Sequence, residues 1–255
     1  MSREHSTFNV QRSTSKAAGE REVPLNVERS AFLFLRSGPG GGAFNMALDE
    51  ALLEAMPRLQ TPALRFYGWT EPAASFGYFQ KYADVAAATK LRPLIRRPTG
   101  GGIVPHDADW TYSAVFPAGH EWHSLKAEES YRRIHDWLQL AFVELSVETL
   151  LAPCCKKSLP GQCFVGHEKF DLLWQGRKIA GAAQRRNKLG LLIQGSIQPP
   201  PLPLKREAFE KAMCAVAVKH FNMRWTDALP DEELASHAAR LTTEKFSLSI
   251  YNQKR

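Results

Sequence analysis

Apolar positions along this chain recur with two different periods, and the switches between them mark its elements. Residues 27–36 contain the unbroken run Ala31, Phe32, Leu33, Phe34, Leu35, which predicts a strand buried on both faces. The glycines of 38–42 then predict a turn. Phe44, Ala47, Leu48, Ala51, Leu52 and Met56 follow at three- and four-residue spacing, the pattern of an amphipathic helix. Asn45, Asp49 and Glu50 fall toward its start, where carboxylates suit the helix dipole. Strands are expected over 64–69 and 74–80, parted by a turn at 71–72, with a short helix over 82–90. Three more strands, 94–97, 102–106 and 110–116, surround a glycine-rich loop. Tyr131, Ile134, His135, Leu138, Ala141 and Phe142 trace a second amphipathic helix. Strands at 170–175 and 177–184 flank Gly176 as a hairpin, and a third follows at 191–197 after a turn at 187–190. The prolines of 199–203 make a stiff connection, and 205–220 and 231–248 read as helical.

This irregular alternation with several hairpins points to an α+β fold. The sheet is expected to be mixed and largely antiparallel with flanking helices, rather than doubly wound and parallel. No linker splits the middle of the 255 residues. The expected organisation is a polar, disordered arm over 1–26 and one catalytic domain over 27–255.

Composition narrows the function classes. At 44% hydrophobic and 23% charged residues the chain reads as soluble and globular. Its longest apolar runs, such as 212–218, are far too short to span a bilayer. The N-terminus lacks the apolar stretch of a secretory signal, so a cytoplasmic address is expected. A net charge of +7 fits a nucleic acid, an anionic membrane or an acidic protein. No zinc-finger, helix-turn-helix or RNP-like pattern appears, so neither nucleic acid nor membrane is expected as partner. The four cysteines, Cys154, Cys155, Cys163 and Cys214, form no CxxC pair and match no metal-site spacing. Neither a disulfide framework nor a metal site is expected.

Two segments carry candidate chemistry. Arg96, Arg97, Pro98 and Thr99 run into Gly100, Gly101 and Gly102 between predicted strands. Successive glycines let backbone approach a ligand closely, and the arginines add forked donors. The loop is neither a dinucleotide fingerprint nor a P-loop. Spacing alone also fits a plain hairpin turn. His106 and Asp107 behind it are either acid–base groups or structural residues. In the second segment Cys163 stands fifteen residues before Lys178. A cysteine attacks as its thiolate, which the nearby His167, Arg177 and Lys178 would favour. A small buried hydrophobe is the other common fate of a free cysteine. Lys178 sits in a predicted strand next to Ala180, Gly181, Ala182 and Ala183, small residues that leave room for a substrate. A solvated edge lysine fits the same pattern.

The segment Arg96-Arg97-Pro98-Thr99-Gly100-Gly101-Gly102, with His106-Asp107 and Thr111-Tyr112-Ser113, resembles the signature of the biotin/lipoate A/B protein ligase superfamily. So does Gly176-Arg177-Lys178-Ile179-Ala180-Gly181-Ala182-Ala183-Gln184, followed by Gly195-Ser196-Ile197. Upstream, Asn45-Met46-Ala47-Leu48-Asp49-Glu50-Ala51-Leu52, Leu64-Arg65-Phe66-Tyr67 and Ser75-Phe76-Gly77-Tyr78-Phe79-Gln80 match in order. Cys163-Phe164 ahead of the Gly-Arg-Lys segment is similar to the cysteine-dependent, LipM-type octanoyltransferases.

The resemblance implies a class II synthetase-like α+β catalytic domain over a lipoyl-sized tunnel. It implies that Cys163 takes octanoyl from the phosphopantetheine thioester of acyl carrier protein. The acyl group then passes to the lysine of a lipoyl domain, such as the glycine-cleavage H protein. Cys163 and Lys178 would be catalytic. Arg97, Thr99, Gly100, Gly101, Gly102, His106, Gly181, Ala182 and Ala183 would bind substrate, without cofactor or metal. Three positions depart from the octanoyltransferase pattern: Gly102 where Arg is common, Gln194 for His, and Ala182 for Ser. They leave three alternatives open: an ATP-dependent lipoate ligase, an amidotransferase between lipoyl domains, and a non-catalytic acyl- or lipoyl-binding homologue.

Overall fold

The computed structural model describes residues 30–156 and 166–255. The expected N-terminal arm lies outside the described residues. The strands are β1 (Ser30–Arg36), β2 (Ala63–Tyr67), β3 (Ala73–Phe76), β4 (Leu94–Arg96), β5 (Val104–His106), β6 (Trp110–Pro117), β7 (Leu150–Leu151), β8 (Leu172–Trp174), β9 (Arg177–Asn187), β10 (Gly190–Ile197) and β11 (Met223–Ala228). The helices are α1 (Gly42–Leu59), α2 (Tyr82–Ala88), α3 (Glu121–Ser124), α4 (Ala127–Glu144), α5 (Arg206–Phe221), α6 (Glu232–Leu241) and α7 (Ser249–Asn252).

Eight strands form one sheet in the order β11-β1-β2-β6-β10-β9-β8-β7, and β4-β3-β5 form a small second sheet. In the large sheet β1 runs parallel to both β2 and β11. From β2 onward every pairing is antiparallel. The fold is therefore α+β with a mixed, largely antiparallel sheet, as the sequence pattern predicts.

Alternation along the central strands sends side chains to two cores. Trp110, Tyr112, Ala114 and Phe116 of β6 pack with Ile134, Trp137 and Leu138 of α4 and Phe209 and Met213 of α5. Val115 of β6 and Leu192 of β10 face the other way, against Leu48, Leu52 and Met56 of α1 and Leu234 of α6. On that second face the alternation also places Thr111, Ser113, Gln194 and Ser196, all buried. Polar side chains so placed must find partners inside the protein. They find them in the site.

Several boundaries differ from expectation. The strand predicted over 74–80 stops at Phe76, because Gln80 closes a turn on Gly77 through both its N–H and its side chain. The helix expected over 231–248 breaks after Leu241 into a π-helical turn, Thr242–Phe246, and then α7. Thr242 and Thr243 donate their hydroxyls to Ala238 O and Ala239 O, competing with the backbone ladder at the break. The sequence reading misses β11. Its six residues hold only Met223 fully buried, so the strand lacks an apolar run and owes its place to pairing with β1. Asp49 is no helix-dipole carboxylate. It is fully buried and held by Arg65 at 2.7 Å.

Candidate active site

A cleft opens between α1, the small sheet and the β9-β10 hairpin, and Ser75, Arg97, His106, Lys178, Gly181 and Gln194 are among its lining residues. Gly101, Ala182 and Ala183 also line it. The two sequence segments, some eighty residues apart, thus meet at one cleft. Cys163 lies outside the described residues. The chain on either side of that segment is tied at its base: Lys156 and His167 exchange both backbone hydrogen bonds, at 2.8 and 3.0 Å.

Lys178 owes its position to an irregularity of β9. Leu172 pairs with Ala180 while Leu173 pairs with Lys178, so the ladder skips Ile179. This bulge re-aims the strand. Ile179 and Ala180 both enter the α4–α5 core, while Lys178 and Gly181 both face the cleft. Strict alternation would put Lys178 and Gly181 on opposite faces. A Cβ on Gly181 would lie 2.6 Å from Lys178 Cε and 2.7 Å from its Nζ, so only glycine leaves room for the ammonium.

Behind Lys178 stands a carboxylate that the sequence reading missed. Lys178 Nζ is 2.7 Å from Asp171 Oδ2, and Asp171 is fully buried. The Glu168 N–H donates to the same oxygen at 2.6 Å. The Tyr131 hydroxyl donates a short bond to Asp171 Oδ1. Burial, with the Asp171 charge next to it, pushes the Tyr131 hydroxyl well above its ordinary range, so it remains a donor. Tyr131 reads in sequence as an apolar helix position, which is why its role was hidden. The one visible cue for Asp171 is an acidic residue opening the apolar run Leu172, Leu173, Trp174.

The glycine loop is braced from within. Arg97 donates to Gly100 O at 2.7 Å and to Gly102 O at 2.9 Å. Two of its contacts therefore shape the loop itself. Arg96 turns away and binds Asn252 of α7 and the carbonyls of Tyr78 and Gln80. Gly77 lies under the loop, where a Cβ would meet Gly101 O at 1.9 Å. Thr99 donates to Gln194 Oε1 at 2.7 Å, and Gln194 donates to Asp49 Oδ2 at 2.7 Å. Asp49 also accepts from Tyr67, Ser113 and Arg65. Gln194 thus ties the loop to the α1 face.

His106 is buried, stacked on Trp69 with ring centroids 3.8 Å apart. Its carboxylate partner is Asp109 at 2.8 Å, and not its exposed neighbour Asp107. Thr111 and Ser196 donate to the same Asp109 oxygen. The other imidazole nitrogen faces Ser75 Oγ at 2.7 Å. Burial lowers the His106 pKa, against the pull of Asp109, and keeps the ring neutral. Together the cleft offers a cation, braced backbone, and a neutral imidazole between a hydroxyl and a carboxylate.

The lipoyl protein ligase A/B catalytic domain family matches residues 42–225. An octanoyltransferase LipM of Anoxybacillus flavithermus is 38% identical over 67% of this chain and 66% of its own length. One of Carboxydothermus hydrogenoformans is 43% identical over 61% of this chain and 60% of its own length. One of Bacillus subtilis is 35% identical over 67% and 66%. The matched stretch therefore spans about two thirds or less of these relatives. Among solved structures, a lipoate-protein ligase A bound with ATP aligns with a TM-score of 0.73 at 21% identity, covering 89% of this chain and 99% of that one. A bipartite archaeal lipoate protein ligase from Thermoplasma acidophilum, studied with its E2 lipoyl domain, aligns at 0.65 and 19% identity, over 89% and 97%. The fold is that of these ligases, and the matched family model covers most of the chain: this protein belongs to the lipoyl protein ligase A/B catalytic domain family.

Proposed function

We propose that the protein is an octanoyltransferase of lipoate biosynthesis. It moves octanoyl from acyl carrier protein, through a thioester on Cys163, to the lysine of a lipoyl domain, with no cofactor. The observation that carries this reading is Lys178, held by buried Asp171 at the wall of a cleft lined by Gly181, Ala182 and Ala183. The LipM relatives support the choice of octanoyl transfer over ligation.

In the first step the Cys163 thiolate attacks the thioester carbonyl. The C–S bond to phosphopantetheine breaks and its thiolate leaves. One thioester replaces another, so the exchange is nearly balanced. In the second step the lipoyl-domain amine attacks the acyl-enzyme, the new C–S bond breaks, and Cys163 is restored. The gain is that of covalent catalysis, two modest barriers for one large one. Lys178 donates toward the carbonyl oxygen as charge builds there. Asp171, 2.7 Å from the amine, keeps that donor aimed. Arg97 and Thr99 hold the glycine loop over the acyl chain, while Gly181, Ala182 and Ala183 leave space for it.

The test is intact mass after mixing with octanoyl-acyl carrier protein. A single octanoyl adduct is expected on wild type, discharged by a lipoyl domain and sensitive to neutral hydroxylamine. Cys163→Ala should lose transfer. Full activity of Cys163→Ala that requires ATP and free lipoate would replace this reading with the ligase. An octanoyl-lipoyl domain serving as sole donor would replace it with the amidotransferase.

A further inference from the structure

Ser75, His106 and Asp109 form a chain of hydrogen bonds that the thioester mechanism does not use. Ser75 is on β3, His106 at the end of β5, and Asp109 just before β6. His106 Nδ1 lies 2.8 Å from Asp109 Oδ2, and His106 Nε2 lies 2.7 Å from Ser75 Oγ. A carboxylate only accepts, so Nδ1 carries the imidazole proton and Nε2 accepts from the serine hydroxyl. This is the tautomer in which an imidazole removes a serine proton, with the carboxylate holding the ring. Asp109 is itself fixed by Thr111 and Ser196, at 3.0 and 2.7 Å. Trp69 stacks on the ring and stops it from swinging. Arg97 Nη1 donates to Ser75 Oγ at 3.0 Å, placing positive charge where an alkoxide would form. Ser75 and His106 both line the cleft that holds Lys178.

We propose that Ser75 is a second acyl acceptor, taking a medium-chain acyl group from a thioester as an oxyester. The substrate class rests on the transferase reading of the cleft. Ser75 Oγ attacks the thioester carbonyl, and its proton passes to His106 Nε2. The C–S bond breaks, and the thiolate leaves with the proton from His106. The products are an O-acyl serine and a free thiol. Water then attacks the ester, His106 takes its proton, and that proton returns to Ser75 as the C–O bond breaks. An oxyester discharges more slowly than a thioester, so Ser75 governs how much acyl group is stored or lost to water rather than transferred.

The full chain carrying Cys163→Ala is mixed with octanoyl-acyl carrier protein, and separately with an octyl fluorophosphonate, which reports an activated serine whatever the acyl donor. The expected result is an octanoyl adduct on the peptide containing Ser75, stable to neutral hydroxylamine and released at alkaline pH. Phosphonate label should fall on the same peptide. Asp109→Asn keeps the hydroxyl and should slow labelling about a thousandfold or more, while Ser75→Ala abolishes it. Melting curves for both variants check that the fold survives. Wild type acylated on Cys163, with Ser75 carrying neither acyl nor phosphonate, overturns the serine and leaves the transferase intact. Wild type acylated nowhere overturns the transferase reading, and with it the substrate class assigned to Ser75.

Discussion

At the scale of single residues, the site turns on how the Lys178 amine is held still in a buried wall. Lys178 is 7% exposed and Asp171 0%. Removing one partner of such a buried pair leaves an uncompensated charge, which costs about 3–5 kcal/mol. Asp171→Ala should therefore lower the urea midpoint clearly, and transfer with it. Gly181→Ala separates position from stability. Its new Cβ would press on Lys178 Cε and Nζ, the far end of a flexible side chain, and would sit 3.1 Å from Asp171 Oδ1, so the amine moves while its carboxylate stays. A displacement of ~1 Å at a reacting centre can cost about a hundredfold. The expected outcome is a large fall in kcat with a melting temperature lowered less than in Asp171→Ala. An alanine variant that transfers at the wild-type rate would remove Lys178 placement from the mechanism.

At the scale of elements, α4 supplies the support behind Asp171. Tyr131 and His135 are one turn apart on its inner face, with ring centroids 4.3 Å apart. His135 is fully buried, its Nδ1 donates to Tyr131 O at 2.8 Å, and its Nε2 has no partner among the described residues. Burial lowers its pKa from 6.5 to about 4. Between those values the unfolded chain binds a proton that the folded chain refuses. The contribution of neutral His135 is thus fully present above pH 6.5 and is lost as pH falls toward 4. It amounts to about 3 kcal/mol. His106, lowered in the same direction, adds to the slope. Denaturant unfolding at several pH values should show stability falling from pH 6.5 to 4. His135→Leu should flatten the curve. An unchanged slope in that variant would mean that His135 is not what α4 protects from protonation.

For the molecule as a whole, charge sets how partners arrive. The chain carries 33 Lys and Arg against 26 Asp and Glu, a net +7. Acyl carrier protein and lipoyl domains, the proposed partners, are acidic. Attraction between opposite net charges speeds encounter and is screened beyond about 8 Å at physiological salt. Raising salt from 50 to 500 mM should therefore raise KM for octanoyl-acyl carrier protein several-fold, with kcat little changed. Octanoyl-pantetheine, which lacks the carrier's charge, should respond weakly. Equal responses from the two donors would argue against steering by surface charge. Among the described residues no helix is long and apolar enough to cross a membrane.

Much of this protein could be read from one chain. Apolar periodicity located β1, α1, β6, α4 and β10, because each buries a face and the burial period is written into the sequence. The glycine loop and Lys178 were also legible, since small residues beside a cation are local features. Elements held by pairing rather than by their own apolar pattern were not: β11 exists because β1 offers an edge, and 242–246 departs from the α-helix where threonine hydroxyls intrude. The site's supports were equally hidden. Asp171, Tyr131 and Asp109 are chosen by distance across the fold, and local sequence pairs His106 with the wrong aspartate, Asp107. The skipped residue at Ile179 does most to separate the two levels. Sequence supplied Lys178 and Gly181 three positions apart; only the register of β9 against β8 put them on one face, because a two-residue repeat cannot do so without an extra residue.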